Sequence, residues 1–341
     1  MGNPTPHPAL WSDLHAKVHQ TLRSRQILPP HSRLLIAVSG GQDSLCLLRL
    51  LLDLQPKWHW HLIVAHCDHR WPSDVGIVEF VTQQTTHWQL PLICVSAVIP
   101  PQGEAGARAW RYEALNAIAI AQQCPIVVTG HTASDRAETL LFNLVRGSGL
   151  AGLQALPWQR PMPSPTNLQE ATQLVRPLLN LTRQITGQFC QARQIPVWQD
   201  ITNSDRRFAR PRLRQDVIPY LRQHLNPQVE TTLAQTAEVL SAEVDYLDQV
   251  AQALYDRAVV YVDQSWKLHR PPLKSAHLAL QRCVIRQLLI RLMPTHPSFD
   301  HIEKIVALIN APNRSQSDPL PGGAIARVDH DWIYVRPSHL E

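Results

Sequence analysis

Short apolar runs alternate with stretches of helical periodicity along the first half of the chain. Each run has the length of a buried β-strand, and the runs occupy residues 34–38, 62–65, 92–95 and 126–129. Apolar residues recur at helical spacing over residues 44–54, 75–90, 104–123 and 134–146. Strands that alternate with helices predict βαβ units and a mostly parallel sheet that is covered on both faces.

The pattern changes in the second half of the chain. Residues 157–170 contain four prolines, which predicts a mobile loop. Helical periodicity then returns over residues 181–194, 228–260, 276–292 and 299–310. The tail from Gly322 to Arg336 alternates around a polar turn and predicts a terminal hairpin.

A chain of 341 residues is long enough for two domains, at about 150 residues each. We expect an α/β domain over residues 20–218 and a smaller, mainly helical domain with the hairpin over residues 219–341.

Composition narrows the class of protein. Hydrophobic residues make up 44% of the chain, yet no apolar run approaches the roughly 18 residues that a membrane span needs. Residues 1–6 lack the basic and apolar segments of a secretory signal. The six cysteines contain no CxxC pair and form no zinc-site pattern, so they indicate reduced thiols in a cytoplasmic protein. We therefore expect no membrane partner.

The charge is positive and is carried mainly by arginine. The chain has a formal net charge of +5, and 27 of its 32 basic residues are Arg. Because Arg offers a bidentate fork to phosphate and stacks on bases, this balance is compatible with a nucleic-acid partner.

The strongest local motif follows the first predicted strand and opens a helix. It reads Ser39-Gly40-Gly41-Gln42-Asp43-Ser44. Two glycines allow positive φ, and the N–H groups of such a turn and of the helix N-terminus form an anion site. The alternative is a tight strand–helix turn with capping Ser and Asp. The segment resembles the PP-loop of ATP pyrophosphatases, which cleave ATP between the α- and β-phosphates.

Polar segments also follow the second and fourth predicted strands. The first is His66-Cys67-Asp68-His69, and the second runs from His131 to Thr139. Ligands of open α/β sheets bind at these carboxyl ends of strands. Asp135 and Glu138 are three apart on one helix face and suit an ammonium group or Mg²⁺. The alternative is an ordinary acidic first turn favoured by the helix dipole.

Several ordered motifs extend the resemblance over residues 33–220 and, more weakly, over 276–335. They include the segments 104–112, 130–139, 144–153, 176–179 and 200–203, and later 281–282 and 320–323. Together they resemble the tRNA(Ile)-lysidine synthetase family. The resemblance implies a Rossmann-like PP-loop domain of the adenine nucleotide alpha hydrolase type, followed by a substrate-binding domain.

The family resemblance implies a two-step ligase reaction. ATP adenylates O2 of the wobble cytidine of a tRNA(Ile) with a CAU anticodon, and the ε-amino group of free L-lysine then attacks C2 and expels AMP. The resulting lysidine changes codon reading from AUG to AUA and tRNA identity from Met to Ile.

The resemblance also implies roles for individual residues. ATP would lie on Ser39, Gly40, Gly41, Gln42, Asp43 and Ser44, with Mg²⁺ on Asp43. Asp135 and Glu138 would hold lysine, and both are expected to be catalytic with Asp43, Arg108 and Arg111. The tRNA or its phosphates would contact His131, Arg206, Arg207, Arg210, Arg212 and Arg214. The five Arg within residues 206–214 could instead form a solvated basic loop.

Two positions depart from the family pattern. Ser134 stands where the family has the first of two adjacent Asp residues, and Pro211 stands where it has Asn. Proline lacks an N–H and fixes φ, so it alters the geometry of the basic stretch.

Three other functions are alternatives to the ligase. A tRNA thiolase would need paired cysteines, an amidating ligase would need a glutaminase domain, and a binding-only protein would bind tRNA without consuming ATP. The sequence favours none of them over the ligase, and it leaves a homodimer open.

Overall fold

The computed structural model describes residues 11–162, 172–198, 209–262, 264–293 and 295–336. Arg206, Arg207 and residues 163–170 of the proline-rich segment lie outside the described residues. The chain divides into two compact units, Met1–Leu240 and Ser241–Glu341. The predicted domain boundary at 218/219 separates a catalytic domain from a tRNA-positioning domain. It stays a prediction, because a division into compact units does not show which residues have which role.

Unit 1 contains, within its described residues, one six-stranded sheet. Its strands are β1 (Arg33–Ala37), β2 (His61–Asp68), β3 (Leu92–Ser96), β4 (Ile126–Thr129), β5 (Gln159–Pro161) and β6 (Gln173–Val175). Its longer helices are α1 (Asp13–Arg25), α2 (Gln42–Trp58), α3 (Ile77–His87), α4 (Gly103–Ala121), α5 (Ala133–Val145) and, after the short α6 (Leu150–Leu153), α7 (Arg183–Ala192). The α/β class and the four predicted strands are confirmed as β1 to β4, of which β3 lies at the edge of the sheet and is only partly buried.

The strand order is β3-β2-β1-β4-β6-β5. All neighbours are parallel except β5, which pairs antiparallel with β6 at one edge. Strand β1 is central, and Leu35 pairs with Ile63 of β2 on one side and with Val127 of β4 on the other. Since the chain reverses its direction of sheet growth between β1 and β4, a crevice opens at their carboxyl ends.

Two hydrophobic clusters cover the two faces of this sheet. Helix α2 contributes a fully buried series to one cluster: Leu45, Cys46, Leu47, Leu48, Leu50, Leu51 and Leu54. Leu115, Ile118 and Ala119 of α4 pack on the opposite face. Burial on both faces explains why these strands appear as continuous apolar runs and not as alternating ones.

One prediction in unit 1 is wrong in part. Residues 157–170 were expected to form a mobile loop, but 159–161 form β5 and pair with β6. A three-residue edge strand with proline at its end has no periodicity that a sequence pattern can register.

The basic stretch continues into helical turns at the end of unit 1. A short helix α8 (Ala209–Arg212) is followed by a π-helical turn (Leu213–Val217) and α9 (Ile218–His224). Pro211 lies in the first turn of this segment, where a missing N–H leaves no helical hydrogen bond unmade. The long α10 (Val229–Ala258) contains the division between the units.

Unit 2 is helical, with a small antiparallel sheet in the order β7-β8-β10-β9. Its helices are α11 (Arg270–Lys274), α12 (Leu278–Leu292) and α13 (Phe299–Asn310), and its strands are β7 (Val259–Val262), β8 (Ser265–His269), β9 (Ile325–Asp329) and β10 (Trp332–Arg336). The predicted hairpin is confirmed as β9 and β10. Strands β7 and β8 are not predicted from the sequence, because β7 begins directly after the helical periodicity of α10 and both strands are short. Among the described residues, no helix is long and apolar enough to cross a membrane.

Candidate active site

The candidate site lies where β1 and β4 end, at the point where the strand order reverses. The glycine-rich loop 39–44 joins β1 to α2, and residues 130–132 join β4 to α5. Adjacent parallel strands bring these two loops together although they are about ninety residues apart in sequence.

The loop has the backbone that a phosphate site needs. Gly40 has φ of +82°, and a Cβ there would lie 3.2 Å from Cβ of Trp198. The Ser44 hydroxyl donates to the Gly41 carbonyl at 2.8 Å and accepts from the Ser39 N–H at 3.2 Å. These bonds hold the loop against the first turn of α2, whose N–H groups favour an anion.

Gly130 lets the two loops approach each other. A Cβ on Gly130 would lie 2.8 Å from the Asp43 carbonyl oxygen and 3.0 Å from Cα of Ser44. Both are backbone atoms, so no side chain at position 130 fits unless the phosphate loop moves.

Asp135 serves α5 and the site at once. Its Oδ2 accepts from the Thr132 N–H at 2.8 Å and from the Thr132 hydroxyl at 2.7 Å, which caps the helix. Its Oδ1 accepts from Nη2 of Arg183 at 2.8 Å. One oxygen therefore caps the helix and the other faces a cationic side chain, and the binding of a substrate or Mg²⁺ by Asp135 stays a prediction.

Arg183, the first residue of α7, joins three carboxylates. Its Nε lies 2.9 Å from Oδ2 of Asp43, its Nη2 lies 2.8 Å from Oδ1 of Asp135, and its Nη1 lies 3.5 Å from Oε1 of Glu138. Each nitrogen of the guanidinium thus faces a different acid.

Arg214 completes the cluster from the π-helical turn. Its Nε and Nη2 donate to the two oxygens of Glu138 at 2.7 and 2.8 Å. Its Nη2 lies 3.8 Å from Asp135. A bidentate fork of this kind is a strong, directional pair. We call Asp43, Asp135, Glu138, Arg183 and Arg214 the charge cluster.

Burial and charge act in opposite directions on these acids. Burial alone would raise the pKa of Asp135, but the Arg183 charge and the Thr132 hydrogen bonds lower that pKa to about 2. Burial raises the pKa of Asp43, although Arg183 opposes the rise. Burial also disfavours the charge of Arg183, yet the carboxylates raise its pKa above the ordinary value. Attraction therefore exceeds the cost of desolvation at Asp135 and Arg183, whereas burial dominates at Asp43.

The two arginines of α4 lie beside a second buried group, Tyr112, and their charges also act on His131. Arg108 and Arg111 lie over the Tyr112 ring at 5.5 and 5.8 Å. Burial, followed by the charges of Arg176, Arg111 and Arg108, lowers the pKa of His131 to about 3 against the attraction of Asp135. The structure therefore brings Arg108, Arg111 and His131 into one positive region that adjoins the charge cluster.

The basic stretch does not act as one surface. Arg214 belongs to the charge cluster, and Arg210 forms an ion pair with Glu104. Arg212 is exposed. The predicted contacts of Arg206 and Arg207 lie outside the described residues.

Sequence reasoning missed Arg183 and the bonds that fix its main chain. The Arg183 N–H donates to the Ser134 hydroxyl at 3.0 Å, and its carbonyl accepts from Nε2 of Gln42 at 2.6 Å. Thr186, one turn later, donates to Oδ1 of Asp43. A lone Arg at a helix start has no local signal. The RPLL motif at 176–179 was the nearest marker. The side chain of Gln42, which was assigned to ATP, is turned towards α7.

The next feature is the set of side chains that could bind a divalent metal ion. Among the described residues, no group of three His, Cys, Asp or Glu side chains could hold a metal ion. Mg²⁺ is commonly bound through one or two carboxylates together with substrate phosphates, so Asp43 beside the loop suits that role.

Two cysteines that are distant in sequence lie together beneath the loop. Cys46 and Cys190 are neighbours, and their exposed fractions are 0% and 2%. Such burial leaves no access for a sulfur donor.

Family models match both halves of the chain. A model described as a PP-loop domain matches residues 11–221, and one described as the TilS substrate binding domain matches residues 268–334. The chain is 52% identical to the tRNA(Ile)-lysidine synthase of Nostoc sp. over 340 residues, which cover 96% of this chain and 98% of that protein. It is 52% identical to the one of Synechocystis sp., covering 95% and 97%. A chloroplastic relative from Zygnema circumcarinatum is 35% identical and covers 85% and 78%.

A solved structure shares the fold. The U34-tRNA thiolase NcsA from Methanococcus maripaludis aligns with a TM-score of 0.55 and 17% identity over 67% of this chain and 77% of that one. At this identity the likeness concerns the fold alone.

Proposed function

We propose how the site works from the premise that this chain belongs to the tRNA(Ile)-lysidine synthase family, as its two matching domains and its full-length relatives show. Its activity is the ATP-dependent formation of lysidine in tRNA(Ile). ATP adenylates O2 of the wobble cytidine and releases pyrophosphate. The lysine ε-amine then attacks C2 and expels AMP. The product decodes AUA in place of AUG and is charged with Ile in place of Met.

The observation that carries the residue assignment is the convergence of three acids beside a phosphate loop. Asp43, Asp135 and Glu138 already hold cationic groups at hydrogen-bond distance. A site that holds guanidinium groups in this way suits an ammonium group of lysine. We assign Asp135 and Glu138 to lysine binding.

ATP phosphates are assigned to the loop itself. The backbone of Gly40 and Gly41 and the hydroxyls of Ser39 and Ser44 would hold them, and Gln42 would support the loop through its bonds to α7. Asp43 would hold Mg²⁺, which would supply charge neutralisation to the phosphates when bound.

The tRNA is assigned to two regions of positive charge. Arg108, Arg111 and His131 would steady the anticodon or the reacting phosphates. Of the basic segment, Arg206, Arg207 and Arg212 would contact the RNA backbone, whereas Arg210 and Arg214 are paired with Glu104 and Glu138 and would reach RNA only by leaving these acids. Residues 20–218 would do the chemistry, and residues 219–341 would position the tRNA.

Only the unprotonated amine of lysine is nucleophilic, so a proton must leave before attack. A base beside the bound amine would take this proton, and the carboxylates of the charge cluster are the candidates for that role. The proposal extends to a cytoplasmic location and leaves a homodimer as the assembly to test.

The test uses ATP, Mg²⁺ and radiolabelled lysine with unmodified tRNA(Ile) and initiator tRNA(Met), both with CAU anticodons. We expect label in tRNA(Ile) alone, in step with AMP release, and none with the Asp43→Asn protein. ATP cleavage without lysine incorporation would refute lysidine formation but retain the PP-loop chemistry. Absence of ATP cleavage with either tRNA would favour a binding-only protein.

A further inference from the structure

Arg183 lies where a substrate cation would have to bind. Its three nitrogens face Asp43, Asp135 and Glu138, which are the acids assigned to lysine and to the phosphate loop. An ammonium group has three donors and needs acceptors of the same kind. The oxygens that face Arg183 cannot serve both cations at once.

The charge balance of the cluster also indicates that Arg183 and a lysine ammonium group compete for the same carboxylates. Three carboxylates and two guanidinium groups leave a single negative charge among these five side chains. A lysine ammonium would add a third cation to the half-buried charge cluster. If the guanidinium group of Arg183 left the cluster, the cluster would regain the negative charge that attracts the ammonium group.

The main chain of Arg183 is fixed by hydrogen bonds, whereas its guanidinium group is partly exposed. The N–H is bound by Ser134 and the carbonyl by Gln42, which belongs to the phosphate loop. The side chain is 28% exposed. Its Nε contacts Asp43, so the head lies at the border of the loop that would carry the triphosphate. A guanidinium fork matches phosphate oxygens as well as it matches carboxylates.

We propose that Arg183 is the built-in occupant of the lysine site and moves to the phosphates when ATP binds. ATP thereby opens the carboxylates to lysine, and nucleotide and lysine bind with positive coupling. The inference rests on the proposed assignment of Asp135 and Glu138 to lysine. It makes Arg183 a positioning residue that sets the order of binding.

The test measures lysine binding by calorimetry on the full chain, with and without a non-hydrolysable ATP analogue. In the wild-type protein, the analogue should strengthen lysine binding about ten-fold or more. In Arg183→Met, lysine should bind without the analogue, and the analogue should change its Kd by less than about two-fold. The reciprocal titration must give the same coupling factor, since linkage is symmetric.

Two further variants keep the test decisive. Arg193→Met is the matched control. It removes one positive charge from the C-terminal end of α7, far along the helix from Arg183, and should keep the wild-type coupling between nucleotide and lysine. Arg183→Lys keeps a cation and should restore part of the coupling, which makes the result independent of how Arg183→Met folds. Thermal unfolding is recorded for each protein.

Two results would overturn the inference alone. One is undiminished coupling in Arg183→Met and Arg183→Lys. The other is loss of lysine binding in a natively folded Arg183→Met protein, because Arg183 would then help to hold lysine. If no protein, wild-type included, binds lysine with or without the analogue, the proposed lysine site fails and the inference falls with it.

Discussion

Individual side chains of the site both stabilise the local backbone and contact other residues of the site. Asp135 caps α5 with one oxygen and binds Arg183 with the other. Ser134, which departs from the family's usual Asp, accepts the N–H of Arg183 and so anchors the start of α7. A hydroxyl suffices for this because the donor is a neutral amide. Ser134 thus makes this bond from a buried position without adding a further negative charge there.

Glu138→Gln should raise the KM for lysine about ten-fold or more and change the KM for ATP much less. A neutral amide loses the charge-assisted bonds to Arg214 and the attraction for an ammonium group. Steady-state kinetics with varied lysine and varied ATP measure the split. Glu113→Gln, on the exposed side of α4, is the control. Equal changes in both constants would remove Glu138 from the lysine site.

His131 should stay neutral between pH 5 and 8. Burial and the nearby arginines lower its pKa to about 3 from an ordinary 6.5. Because the folded-state value lies below the unfolded one, this group's contribution to stability is complete above pH 6.5 and declines as the pH falls towards 3. Nitrogen NMR of labelled histidine, assigned with His131→Asn, measures the protonation state. A midpoint between pH 5 and 8 would contradict the assigned positive surroundings.

At the scale of elements, the site depends on how closely two strand–helix connections approach. The β1–α2 loop and the β4–α5 loop touch at Gly130, where the Asp43 carbonyl leaves no room for a Cβ. Helix α7 is tied to the phosphate loop through Gln42 and to the first turn of α5 through Ser134. The phosphate loop, α5 and α7 are therefore joined by hydrogen bonds, and a shift of any one of them would move Asp43, Asp135 or Glu138.

Gly130→Ala should lower kcat/KM for ATP by about ten-fold or more, since the new methyl group must push the backbone of the phosphate loop away. Gly149→Ala is the matched control, because a Cβ there meets nothing within 4 Å. Kinetics and thermal unfolding of both variants measure the effect. Full activity of a folded Gly130→Ala protein would show that the loop tolerates the shift.

At the scale of the whole molecule, the positive charge of the chain is divided among different tasks. Arg183 and Arg214 neutralise acids, and Arg210 pairs with Glu104. The formal net charge of +5 is therefore no measure of the charge offered to RNA. We expect the phosphate contacts to come from exposed arginines such as Arg212.

Arg212→Gln should reduce the salt dependence of tRNA binding. Each phosphate contact contributes about 0.7 to 0.9 to the slope of log K against log salt, so the loss of one contact should lower the slope by about that amount. Filter binding between low and physiological salt measures it. Arg33→Gln is the control, since Arg33 begins β1 at the opposite end of the strand from the site. An unchanged slope would make Arg212 a bystander.

The two units also differ in how far their elements follow from local pattern. In unit 1, buried parallel strands are apolar throughout and stand out against the helices between them. In unit 2, the hairpin β9–β10 is predicted, but β7 follows α10 without a break and stays hidden. Strand β5 at the edge of the sheet and its neighbour β6 also stay hidden, because three residues are too few for a periodicity to register.

The sequence by itself determined the α/β class, the phosphate loop, the acidic pair of α5 and the family, because these depend on residues that are close together along the chain. Only the tertiary structure decided which charges meet. Arg183 reaches Asp43 across 140 positions and Asp135 across 48. Cys46 meets Cys190 in the same way. Long-range partners depend on the order of strands in the sheet, and periodicity, which is a property of neighbouring residues, carries no record of that order.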